Sequence, residues 1–321
     1  MITAIAVITV ISATPLRAQT VAAPSAASDT ISTDTARNRP VVNECAHAQP
    51  EWIFCDDFEA DRLSRYFEYT HPHDTFARTP GTGVLGSTAM RAHFERGQVE
   101  AGSLKLAFGK TPEPYVHAVD SATSVFREIY WRMYVRTDSG WTGGGADKLS
   151  RAQVLGPAWA QAMGAPIWSG QDHDANYLML DPYSGTDAAG TLRATKYNDF
   201  DRLRWLGAVR GRTPIFDAAH AGQWYCVEGH VRLNDPGVGN GIFEMWIDDV
   251  SEARRTGIDW VGSYAAYGIN VVFFENYWNA GSPVAQSRYI DNIVVSTGRI
   301  GCGRITPQRD SVATASHVLP G

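Results

Sequence analysis

The stretch that decides the fold is VFREIYWRMYVR, residues 125–136. Its apolar positions alternate with polar and aromatic ones, so that Ile129 and Trp131 fall on one face. Tyr130 and Arg132 fall on the other face, because successive side chains of a β-strand point to opposite sides of a sheet. The pattern predicts a strand whose apolar face lies against the core and whose second face mixes rings with charges.

The same alternation recurs along the chain. WYCVEGHVRLN (224–234) runs into the turn NDPGVGN (234–240) and then GIFEMWIDDV (241–250), an order that is typical of a β-hairpin. YIDNIVVS (289–296) is predicted to be a further strand. Because turns rich in Gly and Pro separate these segments and helical periodicity is scarce, we expect an all-β fold, either a β-sandwich or a jelly roll.

Length and composition limit the class of protein. The 321 residues are 44% hydrophobic and 11% aromatic, which is enough to bury the core of one large β domain. The formal net charge of -6 argues against a nucleic-acid partner. No internal repeat or change of composition divides residues 44–302, so we expect a single domain there, and a monomer.

Both ends of the chain differ from this domain in composition. Residues 1–18 form an apolar run ending in small residues, which we interpret as a signal peptide; a buried strand or helix is the alternative. The run is too short to span a bilayer, so no stable membrane insertion is expected, and the protein is predicted to be secreted or periplasmic. Residues 19–43 are rich in Ala, Ser, Thr and Pro, as disordered linkers are, and residues 303–321 are predicted to be a flexible tail.

The chain has four cysteines, and an even number in an exported protein suggests two disulfide bonds. Three pairings are open on the sequence alone. We favour Cys45 with Cys55, which closes a short loop, and Cys226 with Cys302, which ties a predicted strand to the C-terminal end of the domain. The second bond closes the longer loop and would contribute more stability, about 4 kcal/mol in the loop-entropy model.

Two of the predicted strands carry aromatic and charged residues together on one face. A solvated outer face is one explanation. A sugar-binding face is the other, because rings stack on the apolar faces of sugars while charged groups bond the sugar hydroxyls. The residues concerned are Glu128, Tyr130, Arg132 and Tyr134 on the first strand and Glu228, His230 and Arg232 on the second.

Three segments give the sequence a resemblance to known proteins. IFCDDFE (53–59) and YIDNIVVS (289–296) resemble the first and last strands of concanavalin A-like jelly rolls, among them laminin-G-like bacterial exported proteins. YWRMYVRTDSGWTGGGADKLSR (130–151) resembles a segment of alginate-lyase-like polysaccharide lyases, in which a Gly-rich loop precedes a Lys-Leu pair. The resemblance implies a concanavalin A-like β-sandwich (jelly roll) that binds or cleaves an extracellular polysaccharide, with Lys148 in its cleft.

A lyase for uronate-containing polysaccharide works by β-elimination. It must neutralise the sugar carboxylate, remove the proton from the adjacent carbon, and protonate the leaving oxygen. His230 is a natural base because the pKa of imidazole lies near 7, and Lys148 and Tyr277 complete the predicted catalytic set. The predicted substrate-binding residues are Glu128, Tyr130, Arg132, Tyr134, Arg151, Gln153, Glu228, Arg232 and Asn279.

A non-catalytic carbohydrate-binding (lectin-like) module fits the same features, because an aromatic and charged face binds sugar without a base. A lyase would instead bring Lys148, His230 and a tyrosine together in one cleft. Hydrolysis is less favoured, since Glu244 and Asp248 share a strand face but would lie ~13 Å apart, whereas the carboxylates of a hydrolase lie ~5–9 Å apart.

Carboxylates also occur near both ends of the domain. Asp57 and Glu59 follow the first predicted strand, and Asp291 lies in the last one. If the terminal strands pair, these side chains can meet, and oxygen ligands suit Ca²⁺. A structural calcium ion at these three residues is one interpretation, and salt-bridged or capping carboxylates without a metal are the other.

Overall fold

The computed structural model describes residues 39–112, 118–120, 123–145 and 147–305. The described chain is built almost entirely of β-strands, and its helical segments are short 3₁₀ turns. The strands are β1 (Trp52–Asp56), β2 (Glu68–Thr70), β3 (Phe76–Thr79), β4 (Ala89–Phe94), β5 (Glu100–Ala107), β6 (Glu128–Thr137), β7 (Lys148–Leu155), β8 (Gln161–Ser169), β9 (Leu178–Leu180), β10 (Tyr183–Ser184), β11 (Arg204–Trp205), β12 (Val209–Arg210), β13 (Tyr225–Arg232), β14 (Gly241–Ile247), β15 (Val250–Ile258), β16 (Val271–Tyr277) and β17 (Gln286–Ser296). The 3₁₀ turns are Glu44–His47, Leu63–Arg65, Pro72–Asp74, Val84–Gly86, Pro157–Trp159, Asp172–Asp174 and Phe200–Arg202.

The strands form two antiparallel sheets. Sheet I has the order β15-β14-β13-β6-β17-β4-β3, with β1 also paired to β17. Sheet II has the order β11-β10-β8-β7-β16-β5-β2, with β9 paired to β8 and to β12. Strands distant in sequence are neighbours at the centre of both sheets, β6 with β17 in sheet I and β7 with β16 in sheet II, as in a jelly roll. The all-β, β-sandwich prediction is confirmed, and so is the predicted hairpin of β13 with β14. The first and last strands, β1 and β17, pair with each other.

The core lies between the sheets and is filled by the apolar positions of the alternating strands. Ile129 and Trp131 of β6 are fully buried there, as the opening segment predicts. The indole Nε1 of Trp131 donates a 3.0 Å hydrogen bond across the core to Ser150 Oγ of β7. The bond shows that Trp131 and Ser150 both point into the core. Because side chains alternate along a strand, their sequence neighbours Tyr130 and Arg151 point outward, on opposite sides of the sandwich.

The ends of the described chain pack on the outer face of sheet I. Val41 is 1% exposed, and its carbonyl accepts a hydrogen bond from Asn292 of β17. Gly303 accepts a hydrogen bond from the Tyr134 hydroxyl. The folded unit therefore includes residues 39–43 of the predicted linker (19–43) and residues 303–305 of the predicted tail (303–321), and the remainder of both segments lies outside the described residues. The predicted signal peptide (1–18) lies outside the described residues.

Two disulfide bonds hold these ends. Cys45 pairs with Cys55 on β1, ten residues away, and Cys226 of β13 pairs with Cys302, 76 residues away. Both favoured pairings are confirmed. They are called below the short-loop and the long-loop disulfide. No helix in the described part of the chain is long and apolar enough to cross a membrane.

Candidate functional site

A cleft opens on the outer face of sheet II, with a cavity volume of about 480 Å³. Its floor comes from β7, β8 and β16, and one wall comes from the segment 198–208. Two hollows adjoin it, of about 440 and 150 Å³, and each shares lining residues with the cleft. We call the three together the trough. The residues that line the cleft are Asp147, Lys148, Trp168, Ser169, Gly170, Gln171, Met179, Asp181, Asn198, Phe200, Trp205, Ala208, Tyr277 and Asn279.

Lys148 and Tyr277 lie side by side in this cleft. They are paired in register where β7 meets β16, and the ammonium of Lys148 lies 4.0 Å from the centre of the Tyr277 ring. Burial lowers the pKa of Lys148, because desolvation disfavours the ammonium form; the positive charge of Arg151 acts the same way, while Glu275 and Asp147 oppose it. The predicted pair of Lys148 and Tyr277 is brought together, and the lysine is shifted toward its neutral, basic form.

Arg151 lies beneath the cleft. Its guanidinium forms a 2.9 Å ion pair with Glu275, bonds the Tyr197 hydroxyl, and donates to Asn198 Oδ1 at 3.3 Å. The arginine side chain is 1% exposed. The sequence placed Arg151 on the correct face of β7, but Tyr183 and Tyr197 cover it, so the structure puts this predicted substrate-binding residue beneath the cleft floor.

Gln153 of β7 is also covered by other parts of the protein. It is 0% exposed, and its Oε1 accepts hydrogen bonds from Gln161 Nε2 and from the Tyr183 hydroxyl. Tyr183 can lie flat over the sheet because Gly164 is its partner in register; a Cβ at Gly164 would come within 2.1 Å of the Tyr183 ring. The structure thus places Gln153, like Arg151, beneath the cleft floor and covered by a tyrosine.

Asp147 anchors the rim of the cleft beside Asn279. Its Oδ2 accepts the backbone N–H of Asn279, and the carbonyl of Asp147 accepts the backbone N–H of Ser169. Burial raises the pKa of Asp147, although the Asn279 bond and the charge of Lys148 oppose this. The predicted residue Asn279 thus lies in the cleft with Lys148, held there through its backbone with its side chain left for other contacts.

His230 lies elsewhere. It is on β13 of sheet I, where Nε2 contacts Glu128 at 2.7 Å and Nδ1 contacts Glu244 at 2.8 Å. Its ring stacks on Tyr130, which points out of the opposite side of the sandwich from the cleft. The predicted convergence of His230 with Lys148 is wrong, because alternation assigns a residue to a face of its own sheet and cannot tell which of two sheets holds the cleft.

The other predicted residues on sheet I bind the protein's own ends. Arg132 forms an ion pair with Glu44, and Glu228 accepts the backbone N–H groups of residues 300 and 301. Tyr134 donates to Gly303, as described above. These three side chains are completely buried by other parts of the protein, and the structure places them apart from the cleft. The rest of the group, namely Glu128, Tyr130 and Arg232, lies on the same face, apart from the cleft.

The carboxylates predicted to hold calcium have hydrogen-bond donors in the protein. Asp57 accepts the backbone N–H of Cys45 and an Arg62 bond, and Glu59 accepts the backbone N–H of Thr88. Asp291 accepts the backbone N–H groups of residues 84 and 292. Within the described ranges, no group of three or more His, Cys, Asp or Glu side chains is arranged to hold a metal ion. A calcium site there stays a prediction.

Several cleft residues escape sequence reasoning. Trp168 of β8 lies opposite Lys148 in register, and Phe200 and Trp205 stand at the wall, 51% and 44% exposed. Tyr183 and Tyr197 roof the buried arginine. Most of these residues lie between 181 and 210, where the strands are only two residues long, so no period-2 pattern reveals which way a side chain points.

No protein-family model matches the sequence, and no curated protein matches it. Among solved structures, the fold is similar to that of the PL-14 alginate lyase from Aplysia kurodai, at 12% identity and a TM-score of 0.52, over 77% of this chain and 99% of that one. Two further similar structures are an endo-β-1,4-glucuronan lyase from the fungus Trichoderma reesei (11% identity, 77% and 92% coverage, TM-score 0.46) and an alginate lyase from Chlorella virus (13%, 69% and 88%, 0.46). The protein is therefore a β-sandwich whose fold resembles that of alginate-lyase-like jelly rolls, as its sequence segments predict.

Proposed function

We propose that the protein is a polysaccharide lyase that cleaves uronate-containing chains by β-elimination in the cleft of sheet II. The observation that carries the proposal is the pair of Lys148 and Tyr277, an amine and a phenol within reach of one sugar ring, with the pKa of the amine lowered by burial. The similar fold of an alginate lyase adds support. The two disulfide bonds suit an enzyme that works outside the cytoplasm.

In this mechanism the neutral amine of Lys148 takes the proton from the carbon next to the sugar carboxylate. The bond from the neighbouring carbon to the glycosidic oxygen then breaks, and the Tyr277 hydroxyl gives its proton to the leaving oxygen. A carbon–carbon double bond is left in the new sugar end. Burial lowers the pKa of Lys148 and so raises the fraction of neutral amine near neutral pH.

The sugar carboxylate must also be neutralised, and Asn198 is suited to that task. Arg151 donates to Asn198 Oδ1, so the amide is oriented with its Nδ2 donor free to turn toward the cleft. Asn198 lines the cleft together with Lys148 and Tyr277. The buried ion pair of Arg151 with Glu275 therefore acts as a positioning device for the amide, without touching substrate.

The second candidate is a carbohydrate-binding module that uses the same cleft. The half-exposed rings of Phe200 and Trp205 favour it, because such rings stack on the apolar faces of sugars. Binding of this kind needs the aromatic wall and no base. The two candidates thus differ in what Lys148 and Tyr277 contribute.

Absorbance near 235 nm distinguishes the candidates, since only elimination creates the absorbing double bond. The protein is incubated with a panel of uronate polymers, together with Lys148→Ala and Tyr277→Phe; we expect the wild-type rate to fall ~10²–10⁴-fold in each variant. Lys110→Ala, an exposed lysine bonded to the Ala266 carbonyl, serves as a matched control and should keep full activity. His230→Gln should also retain activity, because His230 lies on the other sheet.

A flat trace with folded protein would end the lyase proposal. If the same polymers then retard the protein in affinity electrophoresis, and Trp205→Ala abolishes the retardation, the binding module is supported in its place. If His230→Gln alone abolishes elimination, the cleft has been placed on the wrong sheet.

A further inference from the structure

The charges that line the trough are mostly negative. The carboxylates are Glu100, Asp147, Asp172, Asp181 and Glu275, and the cations among the described lining residues are Lys105 and Lys148. This balance is unusual for a surface that receives a polyanion, because complementary potential normally favours association. It therefore limits how many carboxylates a bound chain can carry.

The two cations are not equivalent. Lys105 forms an ion pair with Glu68 on β2, so its charge is already balanced within the protein. Lys148 has no carboxylate within ion-pair distance among the described residues, and its ammonium rests against the Tyr277 ring. Arg151, beneath the floor, is paired with Glu275. Within the part of the trough that the structure describes, Lys148 is thus the one lining cation without an ion pair, and as the proposed base it acts in its neutral form, so no lining cation remains to balance a further carboxylate.

Asp181 is the opposite case. Its backbone N–H bonds the carbonyl of Pro166 at the end of β9, and its side chain lines the cleft together with Lys148 and Trp168. Burial raises the pKa of this carboxyl, and among the described residues no donor or cation stabilises its charge. A second uronate placed beside the one at Lys148 would bring its carboxylate into the same cleft as Asp181, at a like-charge cost.

We propose that the substrate is a heteropolysaccharide in which each uronate is flanked by uncharged or cationic sugars, and that Asp181 is the residue that excludes runs of consecutive uronates. The proposal deepens the lyase function proposed above and rests on it. The single carboxylate at the bond to be cleaved lies at the Asn198 amide, beside Lys148. Asp147 and Asp181 accept hydroxyl, amide or ammonium donors from the sugars on either side, which carboxylate acceptors bond strongly.

The test compares two polymers: one alternating 4-linked glucuronate with N-acetylhexosamine, the other an unbroken 1,4-linked glucuronate chain. Elimination in either polymer leaves the same absorbing group, an unsaturated uronate at the new chain end, so kcat/KM is measured for each with wild type and Asp181→Asn. We expect wild type to prefer the alternating polymer at least ~10-fold, and Asp181→Asn to narrow that preference at least ~3-fold by gaining rate on the homopolymer. Asp61→Asn, whose carboxylate is exposed and remote in the fold, is the matched control and should leave the ratio unchanged.

Three outcomes are distinct. Preference for the alternating polymer that weakens in Asp181→Asn supports the inference. Elimination with equal or greater rate on the homopolymer, or a ratio that Asp181→Asn does not change, overturns the inference while the lyase function stands. Absence of unsaturated product from both polymers, and from every other uronate polymer tried, refutes the lyase function and the inference together.

Discussion

The strongest structural prediction concerns the buried ion pair that fastens the N-terminal segment to sheet I. Glu44 accepts bonds from both terminal nitrogens of Arg132, from Arg39 at 2.8 Å and from Asn292 at 2.7 Å. Burial alone would raise the pKa of Glu44, but the Arg132 and Arg39 guanidinium groups hold it below its usual value. Glu44 is therefore ionised and compensates a guanidinium that is itself 0% exposed.

Replacing Glu44 by Gln keeps the shape and removes the charge. The change leaves Arg132 buried with Glu228 as the remaining nearby carboxylate, and breaking a buried pair in this way costs about 3–5 kcal/mol. For a domain of this size that corresponds to a fall in Tm of about 6–20 °C. Thermal unfolding followed by circular dichroism and urea unfolding both measure it, with the exposed Glu51→Gln as control.

The double variant Glu44→Leu with Arg132→Met tests whether the loss of stability comes from the unpaired buried charge. Because both charges leave together, the double variant should be more stable than Glu44→Gln, recovering most of the loss. If Glu44→Gln lowers the Tm by less than about 2 °C, the argument that the buried ion pair stabilises the fold is refuted. A normal Tm with a raised KM for polysaccharide in Arg132→Met would restore Arg132 as a substrate-binding residue.

Two other predictions concern stability. Opening the long-loop disulfide by Cys→Ser replacement should cost about 4.5 kcal/mol and opening the short-loop one about 2.7 kcal/mol, so urea midpoints should fall more for the first; the reverse order would contradict the loop-entropy account. Burial raises the pKa of Asp291 to about 8, above its ordinary 3.8, with Glu59 adding to the shift. Between pH 4 and 8 the folded protein therefore holds this proton while the unfolded chain loses it, so stability should fall as pH rises through that window. Asp291→Asn should flatten the dependence of the unfolding free energy on pH, and an unchanged slope would show that the carboxyl is ionised in the folded state.

The fold was predictable because its strands are long and amphipathic. In β6 and β14 apolar side chains recur at every second position, and those positions, Ile129 and Trp131 in β6 and Phe243, Met245 and Ile247 in β14, are in the core. The disulfide pairs were predictable because one joins close neighbours and the other joins a central strand to the end of the domain. The lysine of the cleft came from a resemblance of segment 130–151, since nothing in its local pattern distinguishes it from a solvated lysine.

The rest of the site was not predictable from the chain alone. Alternation identifies which residues leave the core but is silent on what then covers them. Arg132 and Arg151 look alike in sequence, each an arginine on the polar face of an apolar strand. One is covered by the N-terminal segment and the other by Tyr183 and Tyr197, and both coverings depend on contacts between residues more than thirty positions apart.

A strand face that mixes aromatic and charged residues is therefore either covered by other parts of the protein or open to a ligand. The hydrogen-bond and ion-pair partners within the protein show which of the two applies. On sheet I the charged side chains pair with other groups of the protein: Glu44 with Arg132, and both Glu128 and Glu244 with His230. On sheet II the buried Arg151 pairs with Glu275, but the ammonium of Lys148 lies against the Tyr277 ring and forms no ion pair with a carboxylate among the described residues. An ammonium held half-desolvated without an ion-pair partner is costly to the folded protein, which favours the neutral amine that a base needs, so it is in the cleft of sheet II, rather than on the outer face of sheet I, that we propose substrate binds.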